Sequence, residues 1–151
     1  MDEIDCRILE CLKKNARMKL ANIAEQVNLS VTATADRIRK LNTSGIIASY
    51  SVILDGSKLG KDLTALISVS LEHPQYNAHF VEMVQGHPDI LECHYITGDY
   101  DFFLKVITNG SFGLESLLNY IKGIKGVSLT RTLVVLSTVK NEISVTPTPD
   151  E

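Results

Sequence analysis

The sequence predicts an α+β chain: a helix-turn-helix (winged-helix-like) domain at the N-terminus, followed by a ferredoxin-like βαββαβ domain. Three observations carry that prediction. Apolar residues recur at helical spacing on both sides of a break at Asn28-Leu29-Ser30. Beyond Gly60, β-prone and helical stretches alternate in the order strand, helix, strand, strand, helix, strand. Charge divides near the same point: residues 1–60 carry nine Lys/Arg against seven Asp/Glu, or +2, and the remainder six against eleven, or −5. The basic part suits a polyanion, and the acidic part, which a polyanion repels, is expected to face away from it.

Residues 3–14 predict the first helix, with Ile4, Ile8, Leu9 and Leu12 on one face. Asp2, Glu3 and Asp5 at its start and Lys13-Lys14 at its end complement the helix dipole. In the pair that follows, Leu20, Ile23, Ala24 and Val27 precede the break, and Ala35, Ile38 and Leu41 follow it. Asn28 tolerates the left-handed conformation of a sharp turn, Ser30 caps the next helix, and Gly45 stops it. Three helices within about 45 residues can close a small core around such a pair.

On the second helix of the pair, Thr34, Ala35, Ile38, Leu41 and Asn42 share one face. Ala33, Asp36, Lys40 and Thr43 lie opposite, flanked by Thr32, Arg37 and Arg39. Small hydroxyl residues in a first turn with basic residues behind them fit a DNA major groove, where early side chains reach base edges and cations meet phosphate. A solvated helix in a small bundle would share the charged face.

The stretch Ile46 to Leu54 is β-prone and ends at Asp55-Gly56. It is expected to be a strand linker, whether as a wing, an arm exchanged with a partner chain, or a plain connection. The second domain is then read as a strand at Thr64–Leu71, a helix at Asn77–Gln85, strands at Ile90–Thr97 and Phe102–Thr108, a helix carrying Leu114, Leu117, Leu118, Ile121 and Ile124, and a long strand at Val127–Val139. The expected division is 1–45 helix-turn-helix, 46–61 linker, 62–140 βαββαβ domain and 141–151 tail, with Thr146 to Pro149 loose. In the last strand both sides are partly apolar, so two chains are expected to stack or join their sheets.

Gly98-Asp99-Tyr100-Asp101 places two carboxylates around an aromatic residue at a hairpin. Asp and Gly also build ordinary turns. As a small-molecule pocket, the hairpin offers carboxylates for an ammonium and free N–H groups for a carboxylate, with Tyr95 and Val134 as apolar neighbours. His94, Asp99 and Asp101 could serve as acid and base, but the chain shows no nucleophile-base spacing, phosphate loop or metal constellation, so no enzyme, cofactor or metal is expected. Cys6, Cys11 and Cys93 form neither a C-x-x-C pair nor a zinc spacing. With no signal-like run and no apolar stretch long enough to span a bilayer, the expected location is the cytoplasm, away from the membrane.

Six fragments in order complete the reading: Ile4-Asp5-x-x-Ile8-Leu9-x-x-Leu12, Ala24-x-x-Val27-x-Leu29-Ser30, Arg37-Ile38-Arg39-Lys40-Leu41, Gly45-Ile46-Ile47, Gly98-Asp99-Tyr100-Asp101, and Gly126-Val127 followed by Thr130-x-Thr132. With them the chain resembles, over nearly its full length, the Lrp/AsnC family of transcription regulators. The resemblance implies a sequence-specific DNA-binding regulator that assembles as homodimers, tetramers or octamers and answers to a small effector, usually an amino acid bound near the glycine-aspartate hairpin between dimers. Ser30, Thr32, Thr34, Arg37, Arg39 and Lys40 would then meet double-stranded DNA. Gly98, Asp99, Tyr100 and Asp101 would line the effector site, with Tyr95, Thr130 and Thr132 beside them. Val31, Asn28 and Asn42 depart from the family's frequent proline, glycine and glutamate, which bears on DNA sequence preference. An architectural DNA-binding protein without an effector is the alternative.

Overall fold

Helix α1 (Glu3–Lys14) begins with a capping box. The Asp5 N–H donates to the Asp2 carboxylate at 2.8 Å, and the Asp2 N–H donates to the Asp5 carboxylate at 3.3 Å. Two of the N–H groups left free at a helix start are thereby satisfied. Helix α2 (Leu20–Val27) ends at Asn28, whose φ of 57° and ψ of 45° are left-handed. The chain turns there and restarts at Ser30, whose hydroxyl accepts from the Ala33 N–H at 3.1 Å to cap α3 (Val31–Thr43). Ile8, Cys11, Ile23, Val27 and Leu41 form the core of the three helices, with Ile4, Leu12 and Ile38 against it.

The computed structural model describes residues 1–150 and divides into two units. The helical unit comprises Met1–Ile53 and the segment from Lys140 onward; the sheet unit is Leu54–Val139. In the helical unit no strand occurs among the described residues, so of the alternatives left open for the stretch after Gly45 the single chain shows no wing. The expected linker strand is absent too. Residues 48–55 have no partner strand to hydrogen-bond, and Tyr50, Val52, Ile53 and Leu54 are exposed. On either side of Thr146–Pro149, the stretch expected to be loose, the tail is tied to the helical unit: Lys13 Nζ meets Glu142 at 2.9 Å, and the Asp150 N–H donates to the Met1 carbonyl at 3.1 Å.

In the sheet unit, β1 (Leu63–Leu71), α4 (Asn77–Gln85), β2 (Ile90–Tyr95), β3 (Phe102–Thr108), α5 (Gly110–Gly123) and β4 (Val127–Val134) form one antiparallel sheet of order β2-β3-β1-β4 with two helices. Ala65, Ile67 and Val69 of β1 and Phe102, Leu104 and Val106 of β3 alternate inward, where they meet Phe80 and Val84 of α4 and Leu114, Leu117 and Ile121 of α5. The residues between them, such as Leu66, Ser68, Phe103 and Lys105, are half-buried on the opposite face, which no helix covers.

The last strand is shorter than expected. After the Val135 N–H reaches the Thr64 carbonyl at 2.9 Å, β1 offers no further partner, and Leu136 and Val139 stand fully exposed. The second strand stops at Tyr95: the Ile96 N–H still donates to the Asp101 carbonyl at 2.9 Å, but the Asp101 N–H goes to Val69 of β1 at 3.0 Å, so the reciprocal bond of a strand pair is not made.

Candidate functional site

Each of the six DNA candidates lies on α3 or its cap, but their environments differ. Ser30 is exposed and serves as the N-cap, and Thr32, Arg39 and Lys40 are exposed. Thr34 is corrected: it is fully buried, and its hydroxyl donates to the Ser30 carbonyl at 3.0 Å. Its place on the packing side of the helix removes it from any groove. Arg37 is corrected as well, because Nη1 donates at 2.7 Å to both Asp2 and Asp5. Those bonds hold the guanidinium charge firmly, raising its pKa through Asp5 first and Asp2 second. The Asp2 carboxyl is pushed below its ordinary range by the Asp5 N–H and then by Arg37. Arg37 therefore ties α3 to the start of α1.

The free cations are others. Lys40 makes no ion pair among the described residues, and neither does exposed Lys19, which precedes α2. No side chain caps α2; the Asn22 and Ile23 N–H groups donate to the Lys19 carbonyl at 2.9 and 3.2 Å, which leaves those of Leu20 and Ala21 available. Lys19 was passed over in the sequence because a single lysine before a helix carries no periodic signal. It stands at a helix start that no side chain caps.

The effector candidates separate into three places. Gly98 has φ 113°, and Asp99 is exposed. Asp101 is bound into the fold: its carboxylate accepts from the Leu71 N–H at 2.7 Å, and its own N–H donates to Val69 at 3.0 Å. This is a correction to its reading as a free ammonium-binding group, since one carboxylate oxygen satisfies the end of β1. Half-buried Tyr100 lies between the two acids.

Tyr95 is 69% exposed and packs on Phe102 with ring centroids 5.1 Å apart. The two rings, with Ala78, Val81, Glu82 and Gln85 of α4, line an apolar depression of 460 Å³. Thr130 and Thr132 pair with Val69 and Ile67 on the far edge of the sheet. With order β2-β3-β1-β4, three strand spacings or roughly 14 Å separate them from Tyr95. One chain does not bring the seven residues together.

A helical unit with a capped, outward-facing third helix and a βαββαβ unit with an aspartate hairpin match known domains over most of the chain. The AsnC-type helix-turn-helix domain matches residues 1–42, and the Lrp/AsnC ligand binding domain matches residues 64–145. The chain belongs to the Lrp/AsnC family. Among Lrp/AsnC relatives, it is 34% identical to the HTH-type transcriptional regulator FL11 of Pyrococcus horikoshii over 93% of this chain and 92% of that protein. A solved structure of a transcriptional regulator from Neisseria meningitidis, in complex with L-Met, superposes with a TM-score of 0.92 at 26% identity, covering 96% of each chain. AsnC of E. coli gives a TM-score of 0.89 at 28% identity over 97% of this chain and 99% of that one. This Lrp/AsnC chain is thus a DNA-binding transcriptional regulator built from a helix-turn-helix domain and an effector-binding domain. No helix among its described residues is long and apolar enough to cross a membrane.

Proposed function

We propose that this regulator grips operator DNA with the outer face of α3 and the start of α2, and that an amino acid tunes that grip from a site completed by a second chain. The observation that carries the DNA reading is the exposed start of α3: a serine cap and Thr32, followed by Arg39 and Lys40, on the side turned away from the helical core. Ser30 and Thr32 are placed to meet base edges or sugar-phosphate, while Lys40 and Lys19 meet phosphate.

The amino-acid effector is supported by the L-Met complex of the Neisseria meningitidis relative and by the chemistry at the hairpin. Asp99 is free to pair with an ammonium, and the apolar depression beside Tyr95 can hold a side chain. Because Thr130 and Thr132 lie at the opposite sheet edge, they join such a site only as contributions from another chain. The uncovered sheet face, with Leu66, Phe103, Leu129 and Leu133, is the surface we assign to a homodimer, from which tetramers or octamers can grow. The protein acts by binding rather than catalysis, without a cofactor, in the cytoplasm. Two groups with acid-base potential are already engaged, His94 with Glu92 at 3.1 Å and Asp101 with Leu71.

The DNA reading is tested by replacing Lys19 and Lys40 together with Ala. Affinity for all DNA should fall, and the slope of log affinity against log salt should lose about two units, since each phosphate contact contributes about 0.9. An unchanged slope would place the DNA surface elsewhere. The same titrations measure operator against unrelated DNA, where a regulator should show a preference of roughly a thousandfold or more and an architectural protein a ratio near one.

A further inference from the structure

The side of α3 turned farthest from the core carries Thr32, Asp36, Arg39 and Thr43, all exposed. Asp36 is the only acid on α3, and it stands where a surface meant solely for phosphate would carry a cation. There it repels the polyanion and weakens binding to DNA of any sequence. Its partner is on the same face: Arg39 Nη2 donates to Asp36 Oδ1 at 2.8 Å, with side chains 70% and 55% exposed.

The helix therefore holds its two arginines in opposite ways. Arg37 is drawn inward to Asp2 and Asp5 of α1. Arg39 is held outward by an acid one turn earlier on α3 itself. A guanidinium has five N–H groups in a rigid fork, so one bond to Asp36 restrains the plane and leaves donors at the other edge. Guanine offers O6 and N7 to such an edge in the major groove. Lys40, unpaired, remains for phosphate.

We propose that Asp36 is a positioning residue that aims Arg39 at guanine, so that each half-site of the operator requires a G·C pair at one position. The inference rests on the reading that the outer face of α3 meets DNA. On that reading Asp36 exchanges general affinity for base selectivity.

The test is selection of bound sequences from a random double-stranded DNA library by the full-length protein, alongside Asp36→Ala, Asp36→Asn, Asp36→Glu and Arg39→Ala. The wild type should enrich guanine at one position per half-site. Arg39→Ala, Asp36→Ala and Asp36→Asn should lose that enrichment, and Asp36→Glu, which keeps the charge, should retain most of it. On the DNA the wild type selects, Asp36→Ala should bind on the order of tenfold more weakly. On unselected DNA it should bind more tightly, with a salt slope steeper by about one unit, because Arg39 is then free for phosphate.

If Asp36→Ala changed both affinities by the same factor and kept the guanine preference, the pair would be a surface contact and the proposal would fall. A wild type that enriches no G·C position would also overturn it. The Lys19/Lys40 variant reports separately on whether this face meets DNA, since it moves the salt slope without altering base preference.

Discussion

Gly98 and Gly126 both hold positive φ, 113° and 92°, but their surroundings differ. Nothing lies within 4 Å of where a Cβ on Gly98 would stand, whereas one on Gly126 would enter the ring of Tyr76. Gly98→Ala should therefore cost only the backbone strain, about 1–3 kcal/mol. Gly126→Ala should cost that and a comparable amount more for displacing a half-buried ring. Denaturant unfolding of the two variants measures both losses, and equal losses would mean that Tyr76 yields freely. The need for glycine at a turn was legible in Gly98-Asp99. The close approach of Tyr76 was not, because the ring and Gly126 are joined only by the fold. Thr34 and Arg37 carry the same lesson, since each was read by residue type while its role depended on what it touches.

At the scale of the element, the β2-β3 hairpin assigns different work to its two acids. Asp101 supports the turn through the Leu71 N–H, and Asp99 extends into solvent. Asp101→Ala should leave that N–H without its partner and destabilise the sheet unit by about 1–3 kcal/mol. Asp99→Ala should leave the unfolding midpoint of the free protein unchanged and remove the response to effector. A thermal-shift screen of the twenty amino acids reads both. At about a hundred times its dissociation constant, a bound amino acid should add roughly 2.7 kcal/mol to the parent. A stabilising amino acid that acted equally on Asp99→Ala would remove Asp99 from the site.

For the whole molecule, the uncovered sheet face sets the expected assembly. Leu129 and Leu133 are 56% and 51% exposed on β4, an edge strand whose neighbour β1 adds Leu66 to the same side. Burying this side against a second copy would complete the half-covered sheet. Leu133→Asp places a charge at such an interface without a partner and should weaken the dimer at least a hundredfold, about 2.7 kcal/mol. Sedimentation equilibrium follows the change, and a wild type that is monomeric at micromolar concentration would withdraw the assignment.

What the sequence determined by itself is what neighbouring residues decide: the spans of α1, α2 and α3 from apolar spacing, the turn at Asn28, the cap at Ser30, and the order of strands and helices from α4 to β4. These depend on contacts between residues a few positions apart, so their signal lies in short windows of the chain. Tertiary structure decided which polar groups remain free. Arg37 is held by acids 35 and 32 residues earlier, and Asp101 is held by a backbone N–H 30 residues earlier. It also decided where strands stop, because β4 ends when β1 runs out of partners and residues 48–55 find none in their own chain. A side chain's type reveals what it can bind, but whether it is still available depends on which groups folding has placed beside it.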